Sequence, residues 1–328
     1  MVQKVAIVAT VRNAQSFLKF WVDYHIAKGF YKLIIFLDDP SEEYDQSINT
    51  SEYVIIIKSG DELLKQWRTT KLFNFHKEFI ETHVMSRQLL NAEIAIGICR
   101  DLKVDWLLHI DSDELFYCPN QSLASHIAIL RDCGLRTFAY LNMEAVVTKV
   151  HMNNFFQEVN IFKRNKQHLS AQQLDTWDEV IKANPGKPFG FIAYSNGKSI
   201  GRVSESLLPF GVHNFAQVID GKKRPERTEA IEGHHAEDLP VILHYPMCGF
   251  ENFWNKYKSR GNFPDLWFNQ YQIKDHVPLQ LESRDVVLKN DQTIALDFYK
   301  GRIFNGDTKR IDYLIEKGIY VRIETPAQ

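Results

Sequence analysis

Four short, almost wholly apolar runs constrain this chain more than anything else in it. They are residues 4–10 (KVAIVAT), 32–37 (KLIIFL), 53–57 (YVIII) and 104–110 (VDWLLHI). Runs of this length, bounded by polar or turn residues, read as buried strands. Between the first two, Phe17, Leu18, Trp21 and Tyr24 follow helical spacing, and Gly29 is a C-terminal stop, so a helix is expected over 14–28. Before the fourth run, Met85, Leu89, Ala92, Ile96 and Cys99 mark one face of a helix over 82–102. Strand, helix, strand, short connection, strand is the opening of a doubly wound α/β sheet. A helix over 123–130 and a fifth strand over 136–141 extend it.

The fourth run ends in three carboxylates within four residues, Asp111, Asp113 and Glu114. Acids so close repel one another unless something cationic sits between them. The C-terminal end of a strand in an open α/β sheet faces the ligand crevice. Asp111 and Asp113, two apart, point to one side of a regular strand. Hard oxygen ligands so placed suit Mn²⁺ or Mg²⁺ and, through the metal, a phosphate-bearing substrate. The competing reading is a solvated acidic turn.

Composition narrows the class. A chain of 328 residues, 45% hydrophobic and 24% charged with net charge −2, has the make-up of a globular protein. It lacks the basic surplus of a nucleic-acid binder. No segment is apolar enough for a transmembrane helix. Met1-Val2-Gln3-Lys4 runs into a strand without a signal-peptide pattern. Cys99, Cys118, Cys133 and Cys248 are far apart, with no Cys-x-x-Cys, which fits reduced thiols in the cytoplasm. Neither a dinucleotide Gly-x-Gly-x-x-Gly nor a P-loop follows the first strand.

The second half is less regular. Residues 151–190 read as loops with one helix over 171–183. Residues 200–203 and 207–212 are strand candidates, the latter ending at His213. Residues 221–237 read as a charged, mobile loop. Residues 241–243 lead into His244-Tyr245. Phe250, Phe253, Trp254 and Tyr257 define an amphipathic helix with Lys256, Lys258 and Arg260 on its other face. The expected organisation is one domain over 1–261 with a C-terminal helical extension, 262–328, packed on it.

These pieces resemble the family 2-like and family 92-like glycosyltransferases of the GT-A fold. Four segments carry the resemblance: Val5–Asn13 with Trp21-Val22-Asp23-Tyr24-His25 and Gly29; Arg87-Gln88 and Asn91 with Asp105–Glu114; Lys198–Val203 closing on Gly211-Val212-His213; and Leu243-His244-Tyr245 with 250–261. The resemblance implies a Rossmann-like mixed sheet flanked by helices, a UDP- or GDP-sugar donor, and Mn²⁺ or Mg²⁺. It implies hexosyl transfer to a glycan or lipid-linked glycan acceptor, as in polysaccharide biosynthesis. Asp113 would hold the metal that neutralises the leaving diphosphate, and Asp111 the ribose or a metal-bound water. Ser112 sits between them. Thr10, Val11 and Arg12 would border the nucleotide, Asp39 would accept from base or ribose, and Arg87 would contact the diphosphate. His213 or His244 would be a further metal ligand, His213 being favoured. An inverting transfer needs a carboxylate base, for which Glu144, ending the fifth strand, competes with Asp178 and Glu179. The basic face of the helix near 250–260 offers a peripheral contact with an anionic membrane. The rival readings are a metal-dependent phosphotransferase or nuclease, and a non-catalytic glycan-binding domain.

Overall fold

The computed structural model describes residues 3–225 and 227–324. Met1 and Val2, at the segment read above for a leader pattern, lie outside the described residues, as does Glu226 in the expected loop. The chain forms two compact units, one of residues 1–141 and 196–242, the other of residues 142–195 and 243–328. Each unit is therefore built from two separate stretches. The helix Phe250–Arg260 groups with the helices Pro278–Leu288 and Gln292–Arg302 that follow it. The expected boundary at 261 thus falls inside one unit.

The first unit is organised around a six-stranded sheet. Its elements, in chain order, are β1 (Val5–Val11), α1 (Leu18–Ala27), β2 (Lys32–Leu37), β3 (Val54–Lys58), α2 (Val84–Asp101), β4 (Trp106–His109), β5 (Thr137–Tyr140) and β6 (Lys198–Arg202). Spatial order is β3-β2-β1-β4-β6-β5. The first four strands run parallel, and β6 is antiparallel to both neighbours. Every residue of β1 is buried, which explains why Thr10 is the one polar residue in its run. Val8, Ile34, Phe36 and Leu107 pack in one core with Leu89, Ala92, Ala95, Ile96 and Cys99 of α2. Each large apolar side chain so buried contributes about 1.5–3 kcal/mol.

The ends of both helices are locally specified. Gly29 takes φ +92° after α1, with the Gly29 amide donating to Ile26 and the Phe30 amide to His25. That reversal is a Schellman motif, and it returns the chain into β2. The same pattern closes α2, with Lys103 at φ +54° and the Val104 amide donating to Cys99. Beyond β6, the strands Leu207–Pro209, Phe215–Ile219 and Lys222–Pro225 form an antiparallel meander. Asp220 and Gly221, both at positive φ, make its tight turn. The expected mobile loop thus begins as a paired strand, because the Asp-Gly turn folds it back onto its neighbour.

In the second unit, Asn142–Ala145 pairs with Ile161–Lys163, which pairs with Tyr320–Arg322. One of these strands, Ile161–Lys163, lies where loops were expected, over 151–190; at three or four residues each, the strands are too short to show a period. Val146, Trp177, Val180, Ile311, Leu314 and Tyr320 form their core. The helix expected over 171–183 forms at Ala171–Ala183, started by a capping box between Ser170 and Gln173. On the Phe250–Arg260 helix, Phe250, Phe253 and Tyr257 are buried, so its aromatic face is core. Among the described residues no helix is long and apolar enough to cross a membrane.

Candidate functional site

Parallel β1, β2 and β4 bring their C-terminal ends to one edge of the first unit's sheet. Because β6 runs the other way, its first residue, Lys198, arrives at that same edge. Arg12, Asp38, Asp39, Asp111, Ser112 and Asp113 follow these strand ends, as a ligand crevice of an open α/β sheet requires.

Three polar residues of α2 tie the strand ends together. Arg87 donates from Nε (2.5 Å) and Nη2 (2.8 Å) to the two oxygens of Asp38, and from Nη1 to the Ile80 carbonyl. Gln88 donates to Asp111 Oδ1 at 2.6 Å. Asn91 donates to Thr10 Oγ1 at 3.0 Å and accepts from Trp67 Nε1 at 2.8 Å. Gln88 and Asn91 are buried. The Arg87 fork is spent on Asp38, which corrects its expected place on a diphosphate. Thr10 is likewise held by Asn91, and Val11 is fully buried, so neither offers a side chain to a ligand. Arg12 does: it is 38% exposed, and its guanidinium lies 3.7 Å from Asp38.

Asp39 is half-buried and accepts from the amide (2.9 Å) and hydroxyl (2.6 Å) of Ser41. That hydroxyl and amide hold its carboxyl below the usual range. Asp111 turns the chain after β4, its carbonyl accepting from the Glu114 amide at 3.2 Å. Ser112 and Asp113 are the half-buried turn residues between them. The following segment, Glu114–Tyr117, is pinned by α1. Trp21 Nε1 donates to the Glu114 carbonyl and Tyr24 Oη to the Phe116 carbonyl, both at 2.8 Å. The Phe116 amide donates to His25 Nε2 at 3.2 Å, while His25 Nδ1 donates to the Trp21 carbonyl at 2.8 Å. Both ring nitrogens being committed, His25 is neutral, and burial pushes it down to about 3.

The cation among the three acids is Lys198. Its ammonium lies 2.7 Å from Asp111 Oδ2 and 3.7 Å from Glu114 Oε2, and it donates to the Val212 carbonyl at 3.4 Å. Lys198 has 0% exposure, and the Asp111 side chain 26%. Burial alone would raise the Asp111 carboxyl, but the Lys198 charge and hydrogen bond pull it below the usual range. Glu114 goes the other way. Burial, with the nearby charges of Asp111 and Asp113, raises it against the pull of Lys198. Around one ammonium the two carboxyls are thus shifted in opposite directions, as expected when like charges share a site. Glu114 Oε2 accepts from the Asp111 amide at 2.7 Å, and its Oε1 has no hydrogen-bond partner among the described residues.

Local backbone geometry delivers Lys198. Gly197 sits at φ +66°, and a Cβ there would lie 2.1 Å from the Tyr140 carbonyl oxygen. Only glycine lets the chain pass so close to β5 before entering β6. His213 donates from Nδ1 to the Gly197 carbonyl at 2.9 Å. Burial and the Lys198 charge push this imidazole down to about 3.

These residues do not fit a divalent ion held by Asp111. Its Oδ1 takes Gln88, its Oδ2 takes Lys198, and among the described residues no three His, Cys, Asp or Glu side chains are grouped to hold a metal. His244 belongs to the second unit, where it is buried and its ring lies 4.6 Å from that of Tyr194.

Glu144 also belongs to the second unit and is a structural residue there. It is fully buried, 2.7 Å from the Lys163 ammonium, and accepts from the amides of Ile192 (2.8 and 3.1 Å) and Ala193 (2.9 Å). A carboxylate so enclosed cannot take a proton from an incoming hydroxyl. Asp178 pairs with Lys166 at 3.3 Å on the surface, and Glu179 is exposed. Gln88, Asn91 and Lys198 stand in segments that the sequence singles out, but their roles come only from the contacts of the fold. The one signal that pointed to Lys198 was the need for a cation among three clustered acids.

No family model matches the chain. It is 27% identical over 318 residues to a glycosyltransferase-like protein of Arabidopsis thaliana, the match covering 93% of this chain and 67% of that protein. A second glycosyltransferase-like protein of the same plant is 24% identical over 318 residues, covering 93% of this chain and 59% of the relative. The chain therefore spans only about three-fifths to two-thirds of these relatives. Among solved structures it is similar over 62% of its length to core-mannan synthase A (CmsA/Ktr4) from Aspergillus fumigatus in a Mn/GDP form. Identity there is 12%, coverage of that chain 62% and TM-score 0.26. The mannosyltransferase Ktr4p from S. cerevisiae in complex with GDP gives 15% identity over 62% of this chain and 59% of that one, with TM-score 0.25. TM-scores this low leave the fold to be judged from its own strands and helices.

Proposed function

We propose that this chain is a glycosyltransferase, moving a sugar from a nucleoside-diphosphate donor to a hydroxyl acceptor. The observation that carries the reading is the convergence of Arg12, Asp39, Asp111 and Asp113 on one sheet edge, at three parallel strand ends braced by α2. The likeness of 93% of the chain to glycosyltransferase-like proteins supports it.

Each side chain then has a chemical task. Asp39 and the partly exposed Asp111 accept hydrogen bonds from the nucleoside, the ribose hydroxyls above all. The exposed Arg12 guanidinium faces the diphosphate, where negative charge develops as the glycosidic bond breaks. Asp113 lies on the turn beside Asp111 and orients the donor sugar through its hydroxyls. The arms of α2 hold Thr10, Asp38 and Asp111 in place before the donor arrives, so less ordering of these strand ends remains to oppose binding.

Calorimetric titration with a panel of nucleoside diphosphates and their sugars tests the assignment. Wild type should bind at least one, and Arg12→Ala should weaken binding by about tenfold, a loss of about 1.4 kcal/mol. Absence of binding to every member of the panel would remove the donor site. Product analysis with the donor that binds would then identify the sugar moved and its anomeric configuration.

A further inference from the structure

We infer that Lys198 is the resident cation of this edge: its ammonium occupies the acid-lined position a divalent ion would take, and ligands bind here without a metal. The second half rests on the donor-site reading, whereas the first half does not.

The geometry is that of a built site. A lysine that merely drifts to the nearest carboxylate sits on the surface with a free stem. Lys198 instead enters from the first position of an internal strand, with no exposed surface and three oxygens around its ammonium. The residue before it is fixed, because Gly197 touches the Tyr140 carbonyl where no side chain fits. If a divalent ion took Asp111 Oδ2, the ammonium would remain buried beside it without its closest counter-charge, which low-dielectric surroundings penalise heavily.

Both carboxylate oxygens of Asp111 accept a hydrogen bond. Gln88 donates to Asp111 Oδ1, and the Asp111 amide donates to Glu114. Asp111 is therefore a charged acceptor locked in one rotamer, with part of its surface open to a ligand. That arrangement suits hydroxyl recognition. It does not suit a ligand that must rotate onto a metal at about 2.0–2.2 Å.

The test is a Mn²⁺ titration of the full chain, read by the electron paramagnetic resonance signal of free Mn²⁺, with no nucleotide present. Wild type and Asp111→Asn should leave that signal equally undiminished. Lys198→Met, which keeps the stem and removes the charge, should take up about one ion. A parallel titration measures binding of GDP and UDP in EDTA and in Mn²⁺, where affinities should agree within about twofold. Uptake of Mn²⁺ by wild type that Asp111→Asn abolishes would overturn the inference. So would a nucleotide affinity about tenfold or more weaker in EDTA. If Lys198→Met does not fold, wild type against Asp111→Asn still decides. If no nucleotide binds in either buffer, the donor-site reading fails, while the Mn²⁺ titration still decides the place of Lys198.

Discussion

Replacing Glu144 with alanine separates a base from a structural carboxylate. In the structure, Glu144 and Lys163 lie 2.7 Å apart with side-chain exposures of 0% and 2%. Removing the carboxylate leaves a buried ammonium whose remaining partner is the Gly190 carbonyl at 2.6 Å. Breaking such a pair from one side costs about 3–5 kcal/mol. The amides of Ile192 and Ala193 lose their acceptor as well, at about 1–3 kcal/mol each where water cannot reach them. Glu144→Ala should therefore destabilise the second unit by at least about 4 kcal/mol. Urea denaturation followed by tryptophan fluorescence is the assay; Trp177, buried in that unit's core and bonded to the Phe189 carbonyl, is a local reporter. Combining Glu144→Ala with Lys163→Met removes the stranded charge, so the double variant should be more stable than the single. A catalytic base predicts the reverse pattern, with native stability and lost transfer. Unchanged stability in Glu144→Ala would refute the structural assignment.

Two more outcomes follow from buried groups. His25 is neutral in the fold, its value pushed down to about 3 from the ordinary 6.5, because burial outweighs its bond to Trp21. Its folded value being the lower, the unfolded chain binds more protons below pH 6.5; stability is complete above that and falls as pH drops toward 3. The loss at pH 5 is about 2 kcal/mol from this residue, and urea titrations at pH 7 and 5 should show a shallower acid loss in His25→Gln. Gly197→Ala places a methyl 2.1 Å from a carbonyl at φ +66°, so it should cost more than about 2 kcal/mol. In that variant thermal melting should fall and nucleotide binding weaken together, since Gly197 positions both Lys198 and His213.

The sequence by itself determined the strands and helices of the first unit. Their apolar runs are long enough to show a period, and Gly29 marks a helix end in the chain's own chemistry. It also determined that something cationic must sit among Asp111, Asp113 and Glu114, because that repulsion is local. It could not say what that cation was. Lys198 stands 87 residues from Asp111, and only the antiparallel entry of β6 beside β4 brings the two together. Metal and lysine answer the same electrostatic need, and spacing along the chain does not tell them apart. Arg87 and Glu144 show the same limit. Both carry the right charge for a diphosphate contact or a base, and both are consumed by partners, Asp38 and Lys163, that tertiary packing supplied. The short strands of 142–163 were illegible for a different reason: three or four residues hold no period, and their pairing energy comes from neighbours distant in sequence. A charged side chain's chemistry is set by what neutralises it, and that neighbour is chosen by the fold.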